Sequence, residues 1–216
     1  MNRTQTSGSR GKPLCYRRMA VPESGAGFRA LSAADGGRRA SLVARGRKAA
    51  GMSELPAGLQ ADFTRDSLAE DYAKALFDYW HAVCGPNALP PLSAIDPTRL
   101  PSSCLSYLSV LDVERDPLRL KSRLTGTALV EQLGMSQAGR YLDELPGTAA
   151  QLRRLAWCVQ RQRPFVASST LTFAPNDHKR YQAVVLPFGD AQAGVQRIVG
   201  AFCFLEGFDR ATVWTR

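Results

Sequence analysis

Two stretches of this chain, Leu105–Val113 and Gln196–Leu205, are apolar at both parities of a two-residue period. In the first, Leu105, Tyr107, Leu111 and Val113 oppose Leu108 and Val110. In the second, Ile198 and Phe202 oppose Val199, Cys203 and Leu205. Successive side chains of a strand point to opposite faces, so each of these strands needs cover on both. Two such strands demand a sheet with a layer on each side, and they belong next to one another near its centre.

The rest of the chain supplies the layers. Residues 67–83 carry Leu68, Tyr72, Ala75, Leu76, Tyr79, Trp80 and Val83 at spacings of three and four, the stripe of an amphipathic helix. Ser67 and Glu70 read as a capping box, and Gly85-Pro86-Asn87 as the stop. The Tyr72, Leu76, Tyr79, Trp80 face is too aromatic for open water, so it is expected to cover the sheet or to meet a partner. After Leu89-Pro90-Pro91, Asp96-Pro97 opens a short helical turn that ends near Pro101. Asp116-Pro117 then joins the first strand to Leu118–Leu124, where Leu118, Leu120 and Leu124 alternate with Arg119, Lys121 and Arg123. Residues 126–134 form a short helix closed by Gly134. Thr148 to Gln162 form a longer one, with Leu152, Leu155, Ala156 and Val159 inward and Arg153, Arg154, Arg161 and Arg163 outward. Strands at Phe165–Ala174, Tyr181–Pro187 and Gln196–Leu205 complete the set, joined by Pro175-Asn176-Asp177-His178 and by the loop Gly189–Gly194. The expectation is an α+β fold: a five-stranded antiparallel sheet, short helices on one face, the amphipathic helix on the other. A cavity between the sheet and the middle helices would be lined by Leu120, Ser122, Leu124, Leu129, Leu133, Leu155, Phe173 and Phe202.

Charge divides the chain. The net charge of +9 lies wholly in residues 1–51, with eleven basic and two acidic groups; residues 52–216 hold 17 of each sign. The folded part therefore has no nucleic-acid footprint. The first segment has eight glycines and two aromatics, Tyr16 and Phe28. It is expected to be disordered, since it cannot bury enough surface to offset its ordering entropy. It reads as a basic arm, as a transit peptide, or as translated upstream sequence of a GC-rich genome with Met52 as the true start. Residues 52–65 read as a linker, 66–206 as the domain and 207–216 as a tail. There is no apolar run of about 18 residues and no secretory signal. Cys15, Cys84, Cys104, Cys158 and Cys203 form no CxxC pair, which excludes a zinc ribbon and suits a reducing cytoplasm.

The wording of the sequence sharpens the fold. Tyr79-Trp80, Leu89-Pro90, Ile95-Asp96-Pro97, Leu100-Pro101, Leu111-Asp112-Val113, Arg123-Leu124-Thr125-Gly126-Thr127, Gly134, Gly139-Arg140 and Leu186-Pro187 follow one another in order. Together they resemble the PAS-like family of small single-domain bacterial proteins, known chiefly from alphaproteobacteria, over about residues 66–206. The resemblance implies a PAS fold and a non-catalytic sensory or protein-interaction role. It also implies a small apolar ligand or a signalling partner, either another protein or a second copy of the chain. One departure is the stretch Pro91-Leu92-Ser93-Ala94, where the family often carries a basic residue.

Other chemistry is largely missing from the sequence. No GK[ST] ending and no Gly-x-Ser-x-Gly occurs. His81 is placed on the solvent side of the leading helix and His178 in a hairpin turn, so neither suits a haem ligand in such a pocket. Cys158 stands in Ala-Trp-Cys-Val rather than the Asn-Cys-Arg context of a flavin-reactive cysteine, and Cys203 reads as a core residue. No cofactor or metal site is evident. The acid pairs Glu70-Asp71 and Asp143-Glu144 read as partners of helix dipoles. Two other classes stay open. One is a small enzyme with a cone-like cavity, although the inward parities offer Ser122 and Ser169 but no Asp, Glu or His. The other is nucleic-acid contact through the basic arm.

Overall fold

The computed structural model describes residues 55–84, 89–176 and 179–205. Residues 1–51, Gly85-Pro86-Asn87, Asp177-His178 and the 207–216 tail lie outside them. The described chain runs β1 (Leu59–Gln60), α1 (Asp71–Cys84), β2 (Leu108–Glu114), β3 (Arg119–Thr125), α2 (Thr127–Leu133), α3 (Ala149–Arg161), β4 (Phe165–Thr170), β5 (Arg180–Asp190) and β6 (Gly194–Leu205), with short 3-10 turns between. The strands form one antiparallel sheet in the order β1-β4-β5-β6-β2-β3.

The two strands that are apolar at both parities, β2 and β6, are neighbours, paired from Leu108↔Ala201 to Asp112↔Arg197. Their side chains feed two separate cores. On one face Leu111, Ile198 and Phe202 pack with Leu129 and Leu133 of α2 and with Leu155, Cys158 and Val159 of α3. On the other, Val110, Val199, Ala201 and Cys203 pack with Ala73, Leu76, Phe77 and Trp80 of α1. Both sheet edges are blunted. β1 is only two residues long. β3 is covered by the segment around Tyr141, through Ser122 N to Arg140 O at 2.8 Å and Gly139 N to Ser122 O at 2.7 Å.

The structure departs from the expected one at several places, each for a local reason. The sheet has six strands rather than five, because Leu59 and Gln60 add to β4 opposite Ala167 and Val166. Residues 102–107 form a 3-10 turn, so the first long strand starts at Leu108 rather than Leu105. β4 stops at Thr170, and Leu171 and Phe173 are buried from the turn that follows. The capping box does not form. Ser67 lies in a 3-10 turn and its Oγ donates to Thr64 O at 2.6 Å, while α1 starts four residues later. Gln182 of β5 takes over there, accepting from Ala69 N at 2.8 Å and donating to Ser67 O at 3.1 Å.

Two changes of facing matter for the site. The β2–β3 register runs Val110↔Leu124 and then Leu111↔Ser122, so Arg123 is an extra residue in β3. Such a bulge reverses the parity beyond it. Leu120 and Ser122 stay buried, and Leu124 turns out to solvent. In α3 Leu155 and Val159 are buried as expected and Leu152 packs against the same core, while Trp157 and Cys158 are buried too, so the inward face is wider than the expected one. Arg154, expected outside, is buried.

Candidate functional site

On the α1 face, aromatic side chains lie on the sheet and each spends its polar atom on backbone. Tyr72 Oη donates to Phe202 O at 2.9 Å, Tyr79 Oη to Ala94 O at 2.6 Å and Trp80 Nε1 to Pro187 O at 2.9 Å. Leu76 and Trp80 are buried; Tyr72 and Tyr79 are half-buried. Tyr72 also stacks on Tyr107, ring centroids 4.1 Å apart, and burial pushes its phenol well above the usual range. His81 is not on a solvent face. It meets Phe77 and Trp80 edge-on, its buried Nδ1 has no hydrogen-bond partner, and burial lowers its pKa.

On the opposite face a small cavity of about 30 Å³ lies between α3 and the middle of the sheet. Its floor exists because side-chain volume is missing in adjacent strands. Ala167 of β4 pairs with Ala183 of β5, while Gly200 of β6 lies between Val185 of β5 and Ser109 of β2. Gly200 needs no special backbone angle, and a Cβ there would meet nothing closer than 3.4 Å. Its role is to leave space. Phe165, Ile198 and Phe202 form apolar walls.

A small polar group closes one side. Arg154 reaches in from α3 and is only 6% exposed. Its Nε donates to Ala57 O at 2.8 Å, while its terminal nitrogens make longer contacts of 3.4 Å to Tyr181 Oη and Ser169 Oγ. Gly58, with φ of 75°, lets the backbone pass close by: a Cβ there would sit 3.1 Å from the guanidinium. Gln151 lines the same wall, and its buried Oε1 has no partner. Burial raises the Tyr181 pKa, so the phenol is neutral.

Of the residues expected to line a pocket, Leu155 and Phe202 do so. Leu120, Leu129, Leu133 and Phe173 are buried in the same core but do not line the cavity. Ser122 is buried beside Thr125, 3.5 Å between hydroxyls, and Leu124 is 43% exposed beyond the bulge. The sequence reading missed Arg154, Gln151, Tyr181, Ser109 and Gly200. One signal for them was present: a helical wheel anchored on Cys158, four residues after Arg154, turns Arg154 inward. A glycine inside an apolar strand is the other.

The remaining candidates serve structure. Asp143 and Glu144 lie in the first turn of the 3-10 helix Leu142–Glu144 and also clamp Arg119, with Nε to Asp143 at 2.9 Å and a terminal nitrogen to Glu144 at 2.9 Å. The same guanidinium stacks on Tyr141 at 3.7 Å. Asp71 pairs with Lys74, and Arg163 with Asp62. Cys84, Cys104, Cys158 and Cys203 are buried, the last three as free thiols, and burial pushes the thiols of Cys104 and Cys203 up to about 11. Among the described residues no group of three or more His, Cys, Asp or Glu could hold a metal ion, and no helix is long and apolar enough to cross a membrane.

Residues 69–203, more than half of the sequence, match the model of a PAS domain family. The chain belongs to the PAS domain family. PAS domains serve in sensing and signal transduction. No curated protein matches the chain. Among solved structures it is similar to a light-oxygen-voltage domain studied with a flavin analogue (13% identity, 48% of this chain and 80% of that one, TM-score 0.39). It is also similar to a fungal light-oxygen-voltage photoreceptor (12% identity, 46% and 75%, TM-score 0.36). A third is a blue-light activated histidine kinase of Erythrobacter litoralis (19% identity, 49% and 35%, TM-score 0.35). At TM-scores below 0.5 these likenesses add nothing to what the family match carries.

Proposed function

We propose that this PAS domain is a non-catalytic sensory module whose cavity between α3 and the sheet takes a small, largely apolar molecule. Occupancy of the cavity biases how α1 packs on the opposite face, and so how the domain meets a signalling protein or a second copy of itself. The observation that carries this reading is the floor of Ala167, Ala183 and Gly200, where neighbouring strands omit the side chains that would fill a core. Among the described residues the lining holds no carboxyl, imidazole, amine or thiol group, and burial keeps the Tyr181 phenol neutral, which favours binding over chemistry. The two cores share the strands β5, β6 and β2, which gives a change on one face a direct route to the other. A reducing cytoplasm fits the free buried cysteines.

Native mass spectrometry of the purified full chain tests the reading. A non-covalent mass that is released on denaturation, and that Gly200→Val no longer retains, is the expected result. A bare chain that no small apolar compound stabilises against heat overturns it.

A further inference from the structure

The geometry around Arg154 points to a more specific ligand: we propose that the cavity binds a small amphipathic monocarboxylate, its anionic end on Arg154 and its hydrocarbon body over Ala167, Ala183 and Gly200. This rests on the ligand-binding reading above and adds the chemical class.

Charged side chains are almost never fully buried unless paired. Arg154 is 6% exposed, yet among the described residues no carboxylate lies within ion-pair distance of it. Its one short hydrogen bond, to Ala57 O, uses Nε. The two terminal nitrogens have only 3.4 Å contacts to neutral hydroxyls. Those nitrogens form the planar fork that matches a carboxylate, and they stand at the wall of a cavity that is otherwise mostly apolar.

The neighbours suit an anion. Among the described residues no acidic side chain lines the cavity to repel one. Tyr181 and Ser109 supply neutral hydroxyls. Gln151 has an unbonded side-chain oxygen there, and turning its amide end for end presents the NH2 instead. Charge matching sets the valence. Among the described residues Arg154 is the only cation in the lining, so one negative charge is neutralised, whereas a phosphate monoester would bury a second without a partner.

Isothermal titration of the full chain with octanoate and phenylacetate, beside octanamide and phenylacetamide, tests this. The amides keep the shape and remove the charge. Each acid is expected to bind at least about tenfold tighter than its amide, the effect of one charge-assisted fork. Arg154→Met should abolish that ratio, and Gly200→Val, which leaves Arg154 in place, should weaken acid and amide alike. If Arg154→Met does not fold, the wild-type ratio and Gly200→Val still decide. Amides that bind as tightly as acids, or an acid preference that survives in Arg154→Met, overturn the carboxylate and leave an apolar ligand standing. If neither class binds and the native chain is also bare, both readings fall.

Discussion

At the scale of single residues, the aromatic cover of the sheet is held by a few polar atoms bonded to backbone carbonyls. Trp80 illustrates the sum: it is 2% exposed and its Nε1 bonds Pro187 O. Trp80→Ala should cost about 3–5 kcal/mol in urea unfolding, because it removes a large buried ring and orphans a carbonyl. Tyr72→Phe keeps the ring and loses only the bond to Phe202 O, so about 1 kcal/mol is expected. His81 makes a pH prediction. Burial lowers its folded-state pKa against Asp78, which opposes the shift. The unfolded chain then takes up the proton first, so stability is full above the ordinary value of 6.5 and falls as pH drops through it. Thermal unfolding between about pH 7.5 and 5.5 should show a falling midpoint, with a shallower fall in His81→Leu. An equal slope in the variant would remove His81 from the account.

Elements are where sequence and structure part company. The helix periods at 67–83 and 148–162 find α1 and α3, and the parity of β2 and β6 finds their place side by side. Parity along β3 misleads, because nothing in Leu120-Lys121-Ser122-Arg123-Leu124 announces the bulge at Arg123. A bulge is decided by which partners β2 presents, a tertiary fact. Arg154 in α3 misleads for a related reason. Arg154 looks like surface, but its stem packs as hydrocarbon and its head finds Ala57 O from a distant segment. Both facings can be checked. Leu124→Lys should change stability by no more than about 0.5 kcal/mol, and Leu120→Ala should cost about 2–5 kcal/mol. Similar costs for the two would put Leu124 back in the core. Gly200→Val should leave the fold intact or raise its stability slightly, since a Cβ meets nothing tight and a strand interior favours a branched side chain.

The whole molecule is one sheet between two unlike layers. The layering was readable from two strands with no wet face, and it survives the sixth strand and the shifted boundaries. The cavity is readable only as a region: Leu155 and Phe202 line it, while the groups that give it character, Arg154 and Gly200, carry no apolar signal. Periodicity weighs residues by their hydropathy. A missing side chain and a buried guanidinium are both invisible to that weighting.

Alanine-methyl NMR of the full chain, titrated with octanoate, tests the central claim most directly. Ala167 and Ala183 line the cavity, whereas Ala73 and Ala94 are buried on the α1 side. The account predicts that the Ala167 and Ala183 methyls shift first and furthest, and that Gly200→Val abolishes the shifts. Movement of Ala73 and Ala94 with the cavity pair unmoved, or no methyl shift at saturating octanoate, would contradict it.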